Sequence, residues 1–273
     1  MRFQFRKPEK PAPAKIPKVS KLLAQYVAPA PPETVLRQLG MPCIIMGVDI
    51  ETNDFVLGKK PFAKGQFGHW CFCTPADLKF KLIQIGWAIG DCKEDAPVEC
   101  KELTVRPEGF LISGRAIAKH GITNELAAAE GLPLHDVLKE FMRAAIRVYD
   151  MGGRVVIHHL EFDAGVIDEE LRVAGLDLER LQWHMIANRG ICTLDLDLWK
   201  WVQHYFGREQ ERGDKAHVLS LQDAVKLLLP RSSFAKALME KHHTAGADAQ
   251  LHRILYIAFH ALVNDAFTHN AKP

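Results

Sequence analysis

The sequence predicts a single α/β domain built on a mixed sheet, and three observations predict it. Three strand-like runs follow one another between residues 43 and 105, and from residue 134 onward helical and strand patterns alternate. The first run ends in two acids, Asp49 and Glu51, spaced two residues apart.

That first run, Cys43-Ile44-Ile45-Met46-Gly47-Val48, is apolar on both sides of the pleat, as a central strand covered on both faces would be. Side chains two apart on a strand share a face, so Asp49 and Glu51 project together while Val48 and Ile50 pack opposite. Unpaired charge in such a place is expensive unless a cation or a partner neutralises it. The pair therefore points to a divalent metal site, although acids at a strand end are by themselves more often turn or capping residues. Phe80 to Gly90 reads as a long second strand and Val98 to Val105 as a third. A helix follows from Leu134, where Val137, Leu138, Phe141, Ala145 and Val148 recur at three- and four-residue spacing. Val155-Val156-Ile157-His158 is a short buried strand, and helices are expected at about 163–174, 195–206, 220–228 and 247–263, the third of them stopped by Pro230. No internal repeat is visible.

With 273 residues, 48% of them apolar and 25% charged, the chain can bury a sizeable core. No stretch approaches the roughly 18 consecutive apolar residues that span a bilayer, and the first 20 residues, broken by charges and prolines, lack the apolar centre of a signal peptide. The expectation is an intracellular protein, cytoplasmic or nuclear, with no membrane partner. Its six cysteines have no framework spacing and read as reduced thiols. In Cys71-Phe72-Cys73, beside His69, one intervening residue is too few for the usual zinc turn. Residues 1–40 carry eight Lys and Arg against two acids and hold seven of the fifteen prolines. This segment reads as a basic, Pro-rich, disordered arm that could tether the chain to nucleic acid or a protein partner, or carry an organelle address. The domain is then expected over 41–265, with a C-terminal tail at 266–273.

Two further acids head apolar helical stripes. From Asp163, residues Val166, Ile167, Leu171 and Ala174 lie 3, 4, 8 and 11 positions on; from Asp248, Leu251, Leu255, Phe259 and Leu262 lie 3, 7, 11 and 14 on. A capping Asp normally turns to solvent or to its own backbone, whereas these two face the core. Two unit charges about 4 Å apart repel by about 4 kcal/mol at an effective dielectric near 20, so a cluster of four carboxylates needs cations. All-oxygen ligands select Mg²⁺ or Mn²⁺, and a pair of such ions suits displacement at phosphorus. His243 lies five residues before Asp248, about 140° away on a continuous helix, so it belongs on the preceding loop, which Gly246 would let turn. From there it could accept a proton from an attacking water. Asp195 and Asp197 read as first-turn acids of another helix, and Trp199, Trp201 and Phe206 as core.

These residues resemble the motifs of the DEDDh 3′→5′ exonucleases, proofreading-type enzymes with a ribonuclease H-like fold. The motifs are Asp49-Ile50-Glu51-Thr52, Val156-Ile157-His158-His159-Leu160-Glu161-Phe162-Asp163-Ala164-Gly165 and His243-Thr244-Ala245-Gly246-Ala247-Asp248-Ala249-Gln250, in that order. Ile83 to Gly86 and His120 to Thr123 are similar to family segments as well. The resemblance implies a mixed five-stranded sheet flanked by helices. It also implies two Mg²⁺ or Mn²⁺ ions on Asp49, Glu51, Asp163 and Asp248, His243 as the base, and terminal-nucleotide contacts near Thr52 and His159. Hydrolysis from the 3′ end of single-stranded or frayed RNA or DNA, releasing nucleoside 5′-monophosphates, is the implied activity. His158-His159 stands where many relatives have His-Asn, which touches substrate choice rather than the ligands. The 53–80 insertion, longer than the family's usual hairpin, interleaves Phe55, Phe62, Phe67, Trp70, Phe72 and Phe80 with Lys59, Lys60, Lys64 and Lys79, as rings and cations suited to single strands or as a packed insertion. Two other readings are a catalytically silent nucleic-acid-binding or scaffold module on the same fold and a metal-dependent phosphoesterase for small nucleotides.

Overall fold

The computed structural model describes residues 30–39, 42–54, 80–206 and 219–270. Five strands, β1 (Ile44–Thr52), β2 (Leu82–Asp91), β3 (Glu99–Thr104), β4 (Arg154–Ile157) and β5 (Ile191–Cys192), form one sheet in the order β3-β2-β1-β4-β5. The β1–β2 and β2–β3 pairs are antiparallel, and β1–β4 and β4–β5 are parallel. The mixed five-stranded sheet of the sequence reading is thus present, with β1 at its centre. The helices are α1 (Glu33–Leu39), α2 (Gly114–His120), α3 (Asn124–Glu130), α4 (Leu134–Asp150), α5 (Leu160–Val173), α6 (Asp177–Asn188), α7 (Leu196–Tyr205), α8 (Leu221–Leu228), α9 (Ser233–Met239) and α10 (Ala245–Asn270). None of the described helices is long and apolar enough to cross a membrane.

The alternation in β1 sorts its side chains onto two cores. Met46, Val48 and Ile50 join Trp87 of β2 and the buried stripe of α4, Val137, Leu138, Phe141, Ala145 and Val148, with α5 and α6 closing that side. Phe141 sets its ring edge against Trp87 and Trp183, with centroids 6.0 and 5.4 Å apart. Asp168 of α5, fully buried, ties in α6 by accepting two hydrogen bonds from Arg180, at 2.8 and 3.0 Å, and a third contact from His184 at 2.6 Å. On the opposite face Ile45 packs with α1, α7, α8, α9 and α10, where Trp199 meets Phe259 edge-on at 5.2 Å. Trp199 and Trp201 are therefore core, as expected.

α10 crosses β1 and β2 at unusually short range, and small residues allow it. A Cβ on Gly47 would fall 1.9 Å from the Ala249 carbonyl oxygen, and one on Gly86 would fall 2.2 Å from the Ala245 carbonyl carbon. The helix start is also held by the sheet: the Ala245 N–H donates to Gln84 Oε1 (3.0 Å) and the Gly246 N–H to Glu102 Oε2 (2.7 Å). Two N–H groups that a helix leaves open are thereby satisfied from β2 and β3. Further along α10 the buried Arg253 donates to the carbonyls of Asp91 (2.5 Å), Asp95 (2.6 Å) and Glu94, fixing the β2–β3 turn to the helix.

Two boundaries of the sequence reading are corrected. Residues 33–39, assigned to the disordered arm on proline content, form α1, because Pro31 and Pro32 precede the helix, where proline is tolerated; Val35 and Leu39, four residues apart, are buried. Residues 266–270, assigned to a tail, continue α10, with Ala266 fully buried. Residues 1–29 of the arm and 55–79 of the insertion lie outside the described residues, as does Cys71-Phe72-Cys73. Among the described residues Cys43, Cys92, Cys100 and Cys192 form no disulfide with one another.

Because the contact of α10 with β1 leaves no room for a methyl group, Gly47→Ala should destabilise the chain by about 1–3 kcal/mol, as overpacking does. Thermal unfolding measures this, and an unchanged Tm would contradict the close approach.

Candidate metal centre

Three elements, β1, α5 and α10, converge at the C-terminal end of β1. Asp49 and Glu51 share the face covered by α10, and the first turn of α10 places Asp248 beside them. One carboxylate oxygen from each of Asp49, Glu51 and Asp248 lies within 4.8 Å of the other two. Asp163, on the first turn of α5, adjoins this group: the Ile50 N–H donates to its carboxylate, and its charge is among the largest influences on Asp49. The four acids anticipated from sequence are thus neighbours, with Asp163 outside the tightest cluster. Glu51, Asp163 and Asp248 are buried and Asp49 is partly so.

Burial sets the electrostatics. It drives the Asp49 carboxyl well above the ordinary range, helped by the charges of Asp163, Asp248 and Glu51. Burial likewise pushes Glu51 up to about 8, against the pull of Lys119, and Asp163 up to about 7, against the N–H groups that face it. These oxygens fit a hard divalent cation, because a positive charge among them removes the desolvation and the repulsion that hold the protons on. Lys119, in the last turn of α2, is the cation whose charge opposes these shifts at Asp49, Glu51 and Asp163. It was absent from the sequence reading, which took His120 to Thr123 only as a family-like segment.

The loop before α10 carries two histidines with different roles. His242 Nδ1 lies 2.8 Å from Asp248 Oδ1, whereas His243 uses its backbone N–H, 3.3 Å from Asp248 Oδ2. His243 turns the chain with φ of +70°, a conformation costly for a side-chain-bearing residue. The turn therefore sits at His243 and not at Gly246, which is already helical and is small because a Cβ there would fall 2.8 Å from Glu102 Oε2. Burial, then the neighbouring His242, lowers the His243 pKa to about 4. His252, four residues past Asp248 and buried, donates from Nδ1 to the Val48 carbonyl (2.6 Å) and brings Nε2 to 3.6 Å from Asp49 Oδ1. Neither His242 nor His252 was singled out from sequence as a site residue. The i, i+4 spacing from Asp248 was the available signal for His252.

The flanking positions resolve individually. Thr52 is buried, donates its hydroxyl to the Asp54 carbonyl (2.6 Å), and offers its own carbonyl to His120 Nε2 at 3.3 Å. Because the Ile122 N–H donates to His120 Nδ1 (3.1 Å), Nε2 carries the proton of that contact. His159 is exposed at the start of α5, stacked on Phe162 with centroids 5.9 Å apart. His158 is buried, its Nε2 3.0 Å from the Leu219 carbonyl and its Nδ1 3.1 Å from Thr193 Oγ1, so it braces the sheet end. Asp195 caps α7 by accepting from the Asp197 and Leu198 N–H groups at 2.9 and 3.0 Å, and Asp197 pairs with Lys200 at 3.3 Å, as first-turn acids do.

No family model matches the sequence, and no curated protein matches it either. Solved structures do resemble the fold. Escherichia coli exonuclease I in complex with a dT13 oligonucleotide is 14% identical with a TM-score of 0.57 over 82% of this chain and 42% of its own. The same enzyme with a 5cy-dA13 oligonucleotide gives 15%, 0.54, 82% and 43%. Schizosaccharomyces pombe Pop2p, in a Mg²⁺- and Mn²⁺-bound form, is 16% identical with a TM-score of 0.51, over 81% of this chain and 84% of its own. The chain thus spans less than half the length of the exonuclease I chains it resembles. At these identities the likeness establishes the fold: a ribonuclease H-like sheet with flanking helices, as in DEDD 3′-exonucleases.

The pH dependence of the metal-free chain follows from the acids. Glu51 and Asp163 have native pKa values of about 8 and about 7, against about 4 in an unfolded chain. They stabilise the fold while protonated, and that contribution is lost as pH rises through their native values. Histidines with lowered pKa are neutral in both states above about pH 7.5 and drop out of the upper part of this window. In chelator, Tm should fall between about pH 7 and 8.5, and Mg²⁺ should flatten the decline, adding about 2.7 kcal/mol at a hundredfold excess over its Kd. A Tm that ignores both pH and Mg²⁺ in this range would mean that the acids do not share one site.

Proposed function

We propose that the chain is a metal-dependent 3′→5′ exonuclease acting on single-stranded or frayed 3′ ends of RNA or DNA and releasing nucleoside 5′-monophosphates. The observation that carries this reading is the buried convergence of Asp49, Glu51 and Asp248 oxygens within 4.8 Å of one another, with Asp163 beside them. The motif order and the shared fold support it.

In this reading Asp49, Glu51, Asp163 and Asp248 hold two Mg²⁺ or Mn²⁺ ions. Such ions, when bound, polarise the phosphodiester and offset charge on the attacking and leaving oxygens. His243, neutral at physiological pH because burial and His242 lower its pKa to about 4, accepts the proton of the attacking water. Its positive φ and the Asp248 contact to its N–H fix the backbone of His243 beside Asp248. The Thr52 backbone and the exposed His159 face the terminal nucleotide. Lys119 contributes a cation beside the acids, where a phosphate of the 3′ end would lie.

End-labelled RNA and DNA incubated with Mg²⁺ or Mn²⁺ test the reading. The wild-type chain should shorten one or both from the 3′ end, and Asp163→Ala should be inert; if neither polymer is shortened, or if Asp163→Ala matches wild type, the proposal fails. His243→Asn, chosen because asparagine tolerates positive φ, should lower kcat by about 10²–10⁴. Lys119→Ala should raise KM more than it lowers kcat and make binding less salt-dependent by about one phosphate contact. An unchanged salt slope would remove Lys119 from the substrate path.

A further inference from the structure

The acid cluster is not the only group of potential ligands at the start of α10. His242, His243 and Asp248 each offer an atom, and the three atoms lie within 4.8 Å of one another. The two imidazole rings lie close together, with centroids 3.6 Å apart and planes tilted by 36°, and His242 Nδ1 stands 2.8 Å from Asp248 Oδ1. This set has two nitrogens and one oxygen, whereas Asp49, Glu51 and Asp248 offer oxygen alone. Imidazole suits Zn²⁺, Co²⁺, Ni²⁺ and Cu²⁺, while Mg²⁺ prefers oxygen in octahedral geometry. We propose that His242, His243 and Asp248 form a second metal site, selective for a borderline-soft transition ion such as Zn²⁺, whose occupation shuts the nuclease site.

The geometry needs little change. Zinc bonds of about 2.0–2.1 Å to nitrogen and about 2.0–2.2 Å to oxygen place two tetrahedral ligands about 3.4 Å apart, so the His242–Asp248 contact would open by about half an ångström. With Nδ1 bound to the ion, the ring proton of His242 sits on Nε2. Water fills the fourth position. His242 and Asp248 are only partly and slightly exposed, with side-chain accessibilities of 12% and 6%, so the site is enclosed yet reachable. The backbone favours the arrangement, since the φ of +70° at His243 is what folds its ring back onto that of His242. Inhibition follows from sharing: Zn²⁺ there would withdraw Asp248 from the oxygen cluster and occupy the nitrogen that otherwise accepts the water proton. Zinc binding stands on the geometry alone; the inhibitory consequence rests on the exonuclease reading.

Calorimetric titration of the full, metal-free chain with Zn²⁺ separates the two. Wild type and Asp49→Asn should both take up a tight equivalent that His242→Asn and His243→Asn lose or bind more than about tenfold more weakly. Co²⁺ should give the strong visible absorption of a tetrahedral site in the first pair only, and circular dichroism of each variant checks that it is folded. If all four chains bind Zn²⁺ alike, or if Asp49→Asn alone abolishes binding, the site is not the one proposed. In nuclease assays with saturating Mg²⁺, Zn²⁺ should inhibit wild type and a chelator selective for Zn²⁺ should restore it. Zinc uptake at this site without any inhibition would overturn the regulatory half. Failure of the exonuclease reading would instead show as no Mg²⁺-dependent cleavage at all, with the calorimetry intact.

Discussion

The contact between α10 and the central strands governs the rest of the molecule. Had Gly47 or Gly86 carried a side chain, the helix would have to stand away from the sheet, because a Cβ at either point falls within about 2 Å of helix backbone. Cores tolerate such overlap poorly, since they are already packed at crystal-like density. The short distance lets Gln84 and Glu102 reach the open N–H groups of Ala245 and Gly246. A helix capped by the sheet rather than by its own loop has its first turn fixed in register, and that turn carries Asp248. Packing, capping and the placement of one carboxylate are thus a single constraint.

That constraint conflicts with stability in the absence of a cation. It brings acids together where water cannot dissipate their charge: burial lifts Asp49, Glu51 and Asp163, and repulsion from the neighbouring acids adds to it at Asp49 and Glu51. A protein selected only for a stable core would place apolar side chains there. A site that binds a hard cation must accept the repulsion, since preorganised oxygens are what make the ion's dehydration tolerable. Lys119, exposed at the end of α2, partly offsets the charge. His252 answers a narrower need: the hydrogen bond from its Nδ1 to Val48 orients the ring so that Nε2 faces Asp49.

Much of this was legible in the sequence because period and chemistry coincided there. The two-residue spacing of Asp49 and Glu51 within an apolar run fixed their common face, and the stripes headed by Asp163 and Asp248 fixed the inward direction of both acids. The features that escaped are those with weak local signals. α6 exposes Leu178, Leu181 and Met185 while burying Trp183 and Ile186, so its apolar residues encircle the helix and leave no clean stripe. β5 has only two residues, too few for an alternation. The helical α1 was hidden by proline counting, which averaged a tolerated start position into an arm. Lys119 and His242 could not be found from spacing, because what brings them to the acids is tertiary: the end of α2 against β1, and a turn whose φ only the folded loop determines.

The turn at His243 links these levels. Its positive φ is unfavourable for histidine by about 1–3 kcal/mol, a strain that persists only when neighbours over-determine it. Here they do: the Asp248 carboxylate takes the His243 N–H with one oxygen and faces the His242 ring with the other, while the Asp248 N–H is returned to the Thr244 carbonyl at 3.0 Å. The same carboxylate therefore belongs to three structures, the turn, the oxygen cluster and the His242–His243 pair. Any ion that draws on one of them alters the other two. Selectivity at this centre is accordingly decided less by which acids are present than by how firmly α10 holds Asp248 between oxygen and nitrogen neighbours, which returns the question to the glycines beneath the helix.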